Sequence, residues 1–207
     1  MMTNSSHNTT RKILRKIVHK GRGAVVFSVD FHTIGSPAAV RQALSRLTKK
    51  GTINRVGVSL YYYPVINKNL GGKLPPPADA IARAIARRTS SKIVPTGALA
   101  ANMLGLSTQV PAKRVYLTNG PSRNIVAGPY SINFKHVSPR RMAVKGKDCA
   151  LVLEALRFIG PGNIDDAIVS KLKTALPSKT LAQLKKDARY APAWMQPILN
   201  QITESRK

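Results

Sequence analysis

Residues 36–51 read SPAAVRQALSRLTKKG, and the reading of this stretch decides the fold of the N-terminal third. Ser36 stands where a hydroxyl can accept from an otherwise unpaired first-turn N–H, and Pro37 takes the first helical position, where a missing N–H does no harm. Gly51 follows the last turn and can adopt the left-handed conformation that stops a helix. Between these limits Val40, Ala43, Leu44 and Leu47 recur at helical spacing as one apolar stripe. The opposite face carries Ala38, Arg41, Gln42, Ser45, Arg46 and Lys49, and no acidic residue falls anywhere in the helix. Such a face cannot pair with carboxylates of its own helix, so it presents cations and amides outward. Arg and Gln read guanine and adenine edges in a major groove through bidentate hydrogen bonds. The plain alternative is a solvated basic face.

Upstream, residues 1–9 are polar and read as a disordered tail. Thr10 can cap a helix over residues 11–20, with Ile13, Leu14, Ile17 and Val18 inward, ended by Gly21 and Gly23. Residues 24–27 read as a short strand, and residues 29–34 as a short helix capped by Ser28 and ended by Gly35. Downstream, residues 53–56 and 60–63 are two β-rich runs around Gly57-Val58-Ser59, a hairpin pattern. Helix, strand, helix, helix, hairpin is the order of a winged helix-turn-helix over residues 10–64, with the third helix lying in the major groove. Ser36 and Ala38 open the expected DNA face. Arg55 and Ser59 would sit on the wing, near phosphates or the minor groove.

Residues 65–77, VINKNLGGKLPPP, have the composition of a semi-rigid linker. Residues 78–207 then read as a second domain. Residues 78–88 form a helix displaying Arg83, Arg87 and Arg88, and Thr96 caps another over 97–104. Strands follow at 114–118, 124–127 and 130–134, the last two joined as a hairpin by Gly128-Pro129. Helices fill residues 148–159, 163–176, 179–189 and 193–202. The expected class is α+β: a winged helix-turn-helix, then a mixed helix and antiparallel-strand domain ending in a helical C-terminal region.

Charge bounds the partners. The chain has 34 Lys and Arg against 8 Asp and Glu, a net +26. Residues 1–72 hold 12 basic and 1 acidic residue and residues 73–147 hold 13 and 1, so the excess is not a tail. A polyanionic partner is implied. A second basic surface is expected from Arg83, Arg87, Arg88, Ser122, Arg123, Arg140 and Arg141, with its arginines unpaired and Ser122-Arg123 in a polar loop able to take a phosphate. A single cysteine, Cys149, excludes an intrachain disulfide and a cysteine zinc framework and suits a reducing cytoplasm. No apolar run approaches the length of a membrane span, and the N-terminus lacks a secretory h-region.

Catalysis finds little support. Residues 1–147 contain only Asp30 and Asp79 as carboxylates, too few for two-metal phosphoryl chemistry. The later acids read as first-turn or exposed helix residues. His7, His19, His32 and His136 lack metal-ligand spacing. No catalytic residue, metal or cofactor is expected.

RGAVVFSVDFHTIGSPAAVRQALSRLTKKGTINRVGVSLYYYP, followed by SSKIVPTGALAANMLGLSTQVPAKRVYLTNGPSR, resembles the AbiEi-type family of transcriptional regulators and antitoxins of type IV toxin–antitoxin, abortive-infection systems. The resemblance covers roughly residues 10–145. It implies a winged-helix N-terminus that represses its own promoter, and a C-terminal domain needed to neutralise a co-encoded nucleotidyltransferase-like toxin, by contact with the toxin or with its nucleic-acid substrate. It carries the DNA-contact role to Arg41, Gln42, Ser45 and Arg46. The family often has Gly-x-Gly in the wing, where this chain has Gly57-Val58-Ser59. The competing expectation, from the charge alone, is an RNA-binding or ribosome-associated protein.

Overall fold

The computed structural model describes residues 3–204 and is of the α+β class. Met1 and Met2, the start of the expected tail, and residues 205–207 lie outside the described residues. The chain divides into two compact units. The first runs to Arg88 and takes in Val126–Tyr130; the second comprises Thr89–Ile125 and the chain from Ser131 on.

The first unit orders as α1 (Thr3–His19), β1 (Val25–Phe27), a 3-10 turn (Ser28–Phe31), α2 (Pro37–Lys49), β2 (Asn54–Gly57), β3 (Leu60–Tyr62), β4 (Val65–Asn67), β5 (Gly72–Leu74) and α3 (Ala78–Arg88). The sheet β1-β3-β2 is antiparallel, with Val26 opposite Tyr61 and Asn54 opposite Tyr62. Ile13 and Ile17 of α1 meet Val40, Ala43, Leu44 and Leu47 of α2 in one core with Val26, Phe31 and Ile53.

Four expectations are corrected here. α1 starts at Thr3 rather than after Thr10, because no Gly or Pro interrupts residues 3–10 and Thr9 is buried against Gly35. The short second helix is a single 3-10 turn, closed by Asp30 Oδ2, which accepts from Phe27 N at 2.9 Å; Gly35 and Pro37 follow too soon for more. The expected linker is a β4–β5 hairpin with Val65 opposite Leu74. Lastly, the helix at 78–88 belongs to the first unit rather than opening the second. Ile81, Ala82 and Ile85 are buried, Arg87 Nη2 donates to Val25 O, and the Arg88 guanidinium lies 4.7 Å from the Phe27 ring centre.

From Thr89 on the chain forms β6 (Ile93–Pro95), α4 (Ala98–Met103), β7 (Lys113–Thr118), β8 (Arg123–Ala127), β9 (Tyr130–His136), α5 (Lys147–Ile159), α6 (Asp166–Ala175), α7 (Ser178–Asp187) and α8 (Gln196–Thr203), all in the second unit but for the β8–β9 turn segment Val126–Tyr130. The sheet order is β6-β7-β9-β8, and β7 pairs with β9 in parallel, against the antiparallel expectation. The burial pattern explains the exchange. β9 buries Ile132 and Phe134 and takes the central place, where Phe134 stacks on Tyr116 of β7; β8, exposed at Asn124 and Val126, is left at the edge. α5 is buried almost all round, and Val152, Leu153 and Leu156 pack with Leu172, Leu184, Met195 and Leu199 of the following helices. Among the described residues no helix is long and apolar enough to cross a membrane.

Candidate nucleic-acid interface

The α2 helix is terminated as its sequence dictates. Ser36 Oγ accepts from Ala39 N at 3.3 Å, Pro37 opens the helix, and Gly51 turns left-handed at φ +66°. Lys73 of β5 donates to Gly51 O, which sets a cation at the helix C-terminus, where the helix dipole favours one. With Val40, Ala43, Leu44 and Leu47 turned into the core, Ser36, Ala38, Arg41, Gln42, Ser45, Arg46 and Lys49 are all exposed. The single carboxylate upstream of α3, Asp30, is occupied with Phe27 N, so none is presented beside this face from its own helix or the turn before it.

The hairpin after α2 is placed differently from its reading in one respect. Arg55 is exposed, but its Nε donates to Gly57 O at 3.0 Å, folding the guanidinium onto its own turn. Ser59 has φ +55° and is half-buried, its carbonyl accepting from Ser28 N. The tip is therefore Val58, 84% exposed. The sequence reading also passed over the outer side of α1, where Arg11, Lys12 and Arg15 are exposed. Their spacing, complementary to Ile13 and Ile17, was signal enough.

The second basic surface does not stand as a set of unpaired cations. Arg83, Arg87 and Arg88 belong to the first unit and the other four residues to the second. Arg83 pairs with Asp79 one turn earlier, an i, i+4 spacing visible in the sequence. Arg87 and Arg88 are engaged with β1 as described. Ser122 Oγ accepts from His136 N, and Arg123 donates to Thr89 Oγ1 and lies over the Phe134 ring. Arg141 grips Glu154 with two hydrogen bonds, Nε to Oε1 at 3.0 Å and Nη2 to Oε2 at 2.6 Å. Arg140 is exposed and has no side-chain hydrogen bond or ion pair among the described residues. The residues are held mainly by structural contacts, because the chain folds carboxylates, carbonyls and rings against them from near and distant positions.

Two acids of the C-terminal region depart from the first-turn or exposed reading. Glu154 and Asp187 are buried, at 4% and 0% exposure. Thr96, expected to cap α4, donates instead to Glu154 Oε2 at 2.7 Å, and Gly97 precedes the helix without a side-chain cap. Burial lowers the Arg157 pKa, Glu154 opposes that shift and the Arg141 charge adds to it. Asp187 Oδ2 accepts from Lys145 N and Gly146 N, tying the loop before α5 to the end of α7. Beside it, burial first and the charges of Asp187 and Asp148 next push the Cys149 thiol up to about 11. Such a thiol stays protonated and is a poor nucleophile. The one hint of Glu154 was its place inside the apolar run ALVLEALRF. Among the described residues no group of three or more His, Cys, Asp and Glu is placed to hold a metal.

The chain is similar to known proteins in two respects. The model of DUF6088, a family of unknown function, matches residues 12–184. No curated protein matches. Among solved structures, the crystal structure of the RV2827C protein from Mycobacterium tuberculosis aligns over 97% of this chain and 82% of that one, at 14% identity and a TM-score of 0.45. A likeness of that size carries no argument about function. The family match spans most of the sequence, and the chain belongs to DUF6088, a family whose function is unknown.

Proposed function

We propose that the first unit is a winged helix-turn-helix that binds double-stranded DNA sequence-specifically, with α2 in the major groove and the β2–β3 hairpin as the wing. One observation carries this reading: a capped, acid-free helix exposes Arg41, Gln42, Ser45, Arg46 and Lys49 together while its other side is locked into the core. The exposed cations of α1 and the net +26 support it through phosphate attraction. In this reading the protein is a cytoplasmic repressor of its own promoter, a binding protein and not a catalyst. It also serves as the antitoxin of a co-encoded nucleotidyltransferase-like toxin. That last role rests on the family resemblance of residues 10–145.

The test is fluorescence anisotropy of the full chain on its own promoter, a scrambled duplex and a structured RNA across a salt series. Preference for the promoter is expected. With about six phosphates neutralised, log K against log salt should have a slope near −5. Equal binding to promoter and scrambled duplex refutes sequence-specific readout, and tighter binding to RNA replaces it with the RNA-binding alternative. Co-expression with the adjoining reading frame tests the antitoxin role, which fails if growth is not rescued.

A further inference from the structure

In the second unit Arg123, Arg141, Arg157 and Arg189 each lie against a hydroxyl, a carboxylate or a ring. Four lysines are not held in this way. Lys145, Lys147, Lys179 and Lys186 are exposed, and none has a side-chain hydrogen bond, ion pair or ring contact among the described residues. The fold brings these four to one place. Asp187 Oδ2, at the end of α7, accepts from Lys145 N at 3.2 Å and from Gly146 N at 3.3 Å. Gly146 faces Gln183, whose Cγ lies 3.4 Å from where a Cβ on Gly146 would stand. Cys149 Sγ donates to Thr180 O, nearer the start of α7. Residues 145–149 therefore run along the side of α7 that carries Thr180, Gln183 and Asp187. On that side Lys179 and Lys186 flank Gln183, four residues before it and three after, which makes both its neighbours on the helix surface. Lys145 and Lys147 border the same side from across the seam.

We propose that this surface binds the phosphodiester backbone of a duplex nucleic acid without reading its sequence. Its charge is not balanced from within. The helix neighbours of Lys179 are Ala175, Leu176, Ala182 and Gln183, and those of Lys186 are Ala182, Gln183, Arg189 and Tyr190, so no carboxylate lies within a turn to pair with either. Asp187 is fully buried and its Oδ2 is turned to the loop N–H groups, which leaves the exposed Asp148 as the carboxylate facing water beside these lysines. Repulsion among the ammoniums is relieved by a polyanion. A duplex presents one negative charge per about 1.7 Å of its axis, dense enough to meet all of them. Lysines are compact point charges that suit phosphates and carry no base code. No residue of 145–149 or of α7 is aromatic, so nothing there stacks on the bases of a single strand. The inference rests on the nucleic-acid reading above for the class of partner, and it does not require α2 to read bases.

The test is the affinity of the full chain for a scrambled DNA duplex across a salt series, because a scrambled duplex reports backbone contacts alone. A triple variant, Lys145→Gln with Lys179→Gln and Lys186→Gln, should bind it at least tenfold more weakly at about 0.15 M salt, with a slope of log K against log salt shallower by about 2–3. A control triple, Lys92→Gln with Lys113→Gln and Lys135→Gln, removes the same charge from other exposed positions of the second unit and should keep most of the affinity. The preference for promoter over scrambled duplex should not change in the first triple; a wild type without that preference counts against α2 alone. The three lysines are exposed, so the thermal transition should hold. Lys179→Gln and Lys186→Gln taken singly, each shallower in slope by about 1, give a second reading should the triple fold poorly. The same sequence as an RNA duplex identifies the source, since the duplex that loses more affinity in the triple is the one this surface fits. A folded triple with wild-type affinity, or a control triple that loses as much, overturns the proposal. Tighter binding of the single strand through these lysines overturns the assignment to a duplex, and polyglutamate displacing the duplex from them at lower charge concentration replaces it with an acidic protein.

Discussion

Substituting Glu154→Gln should destabilise the second unit by about 3 kcal/mol. The carboxylate is 4% exposed, accepts two hydrogen bonds from Arg141 and one from Thr96, and lies within ion-pair distance of Arg157. An amide keeps the shape but removes the negative charge that faces the two guanidiniums and turns an N–H₂ toward one of them. Breaking a buried ion pair on one side costs about 3–5 kcal/mol, because the other charge is stranded. Here the stranded side chains of Arg141 and Arg157 keep 35% and 28% of their surface in water, which argues for the lower end of that range. The assay is urea unfolding followed by the fluorescence of Trp194, the chain's single tryptophan, which packs on the helical core of this unit. With a slope of about 2 kcal/mol per molar urea, the midpoint should fall by about 1.5 M. Adding Arg157→Gln removes one stranded cation and should recover part of the loss. A midpoint shift below about 0.3 M for Glu154→Gln, or no recovery in the double variant, would refute the view that Glu154 neutralises this cluster.

Arg41→Ala and Arg46→Ala should each weaken specific DNA binding by about 1–3 kcal/mol and relax preference at one base position, measured by anisotropy on a panel of point-changed promoters; unchanged preference moves base readout off α2. Cys149 should resist alkylation in the native protein at pH 8 and react on unfolding. Its raised pKa also makes a linkage prediction. The unfolded thiol ionises near pH 9.0 while the buried one waits until about 11, so stability is full below pH 9 and falls as pH rises toward 11, by about 2–3 kcal/mol in all. Cys149→Ala should lack that share of the slope, and an identical alkaline profile would contradict the burial argument. A fragment ending at Arg88 should show a cooperative thermal transition by circular dichroism, whereas one ending at Pro64 should not, because the latter loses Ile81, Ile85 and the Arg88–Phe27 contact. Equal cooperativity would restore the earlier boundary.

What the sequence determined by itself is local. The limits of α2, its buried stripe and its exposed cations follow from Ser36, Pro37, Gly51 and a helical repeat, all settled within a few residues of one another. Strands β1 to β3 and the helices from α5 on were legible for the same reason, since alternation and helical periodicity are properties of short segments. The Asp79–Arg83 pair was equally local and could have been read from its spacing. Tertiary structure decided the rest. The hairpin at Val65–Leu74 looked like a linker because its glycines and prolines report turns but not what the turns pack against, here the end of α2 through Lys73. β7 pairs with β9 in parallel because β9 carries the buried face and displaces β8 to the edge, a competition no single strand reveals. Charge was the least legible of all. Arg87 reaches Val25 across 62 residues, Thr96 reaches Glu154 across 58, and Arg141 finds Glu154 inside an apolar helix. For these residues the partner lies far along the chain, and the fold alone brings the two together.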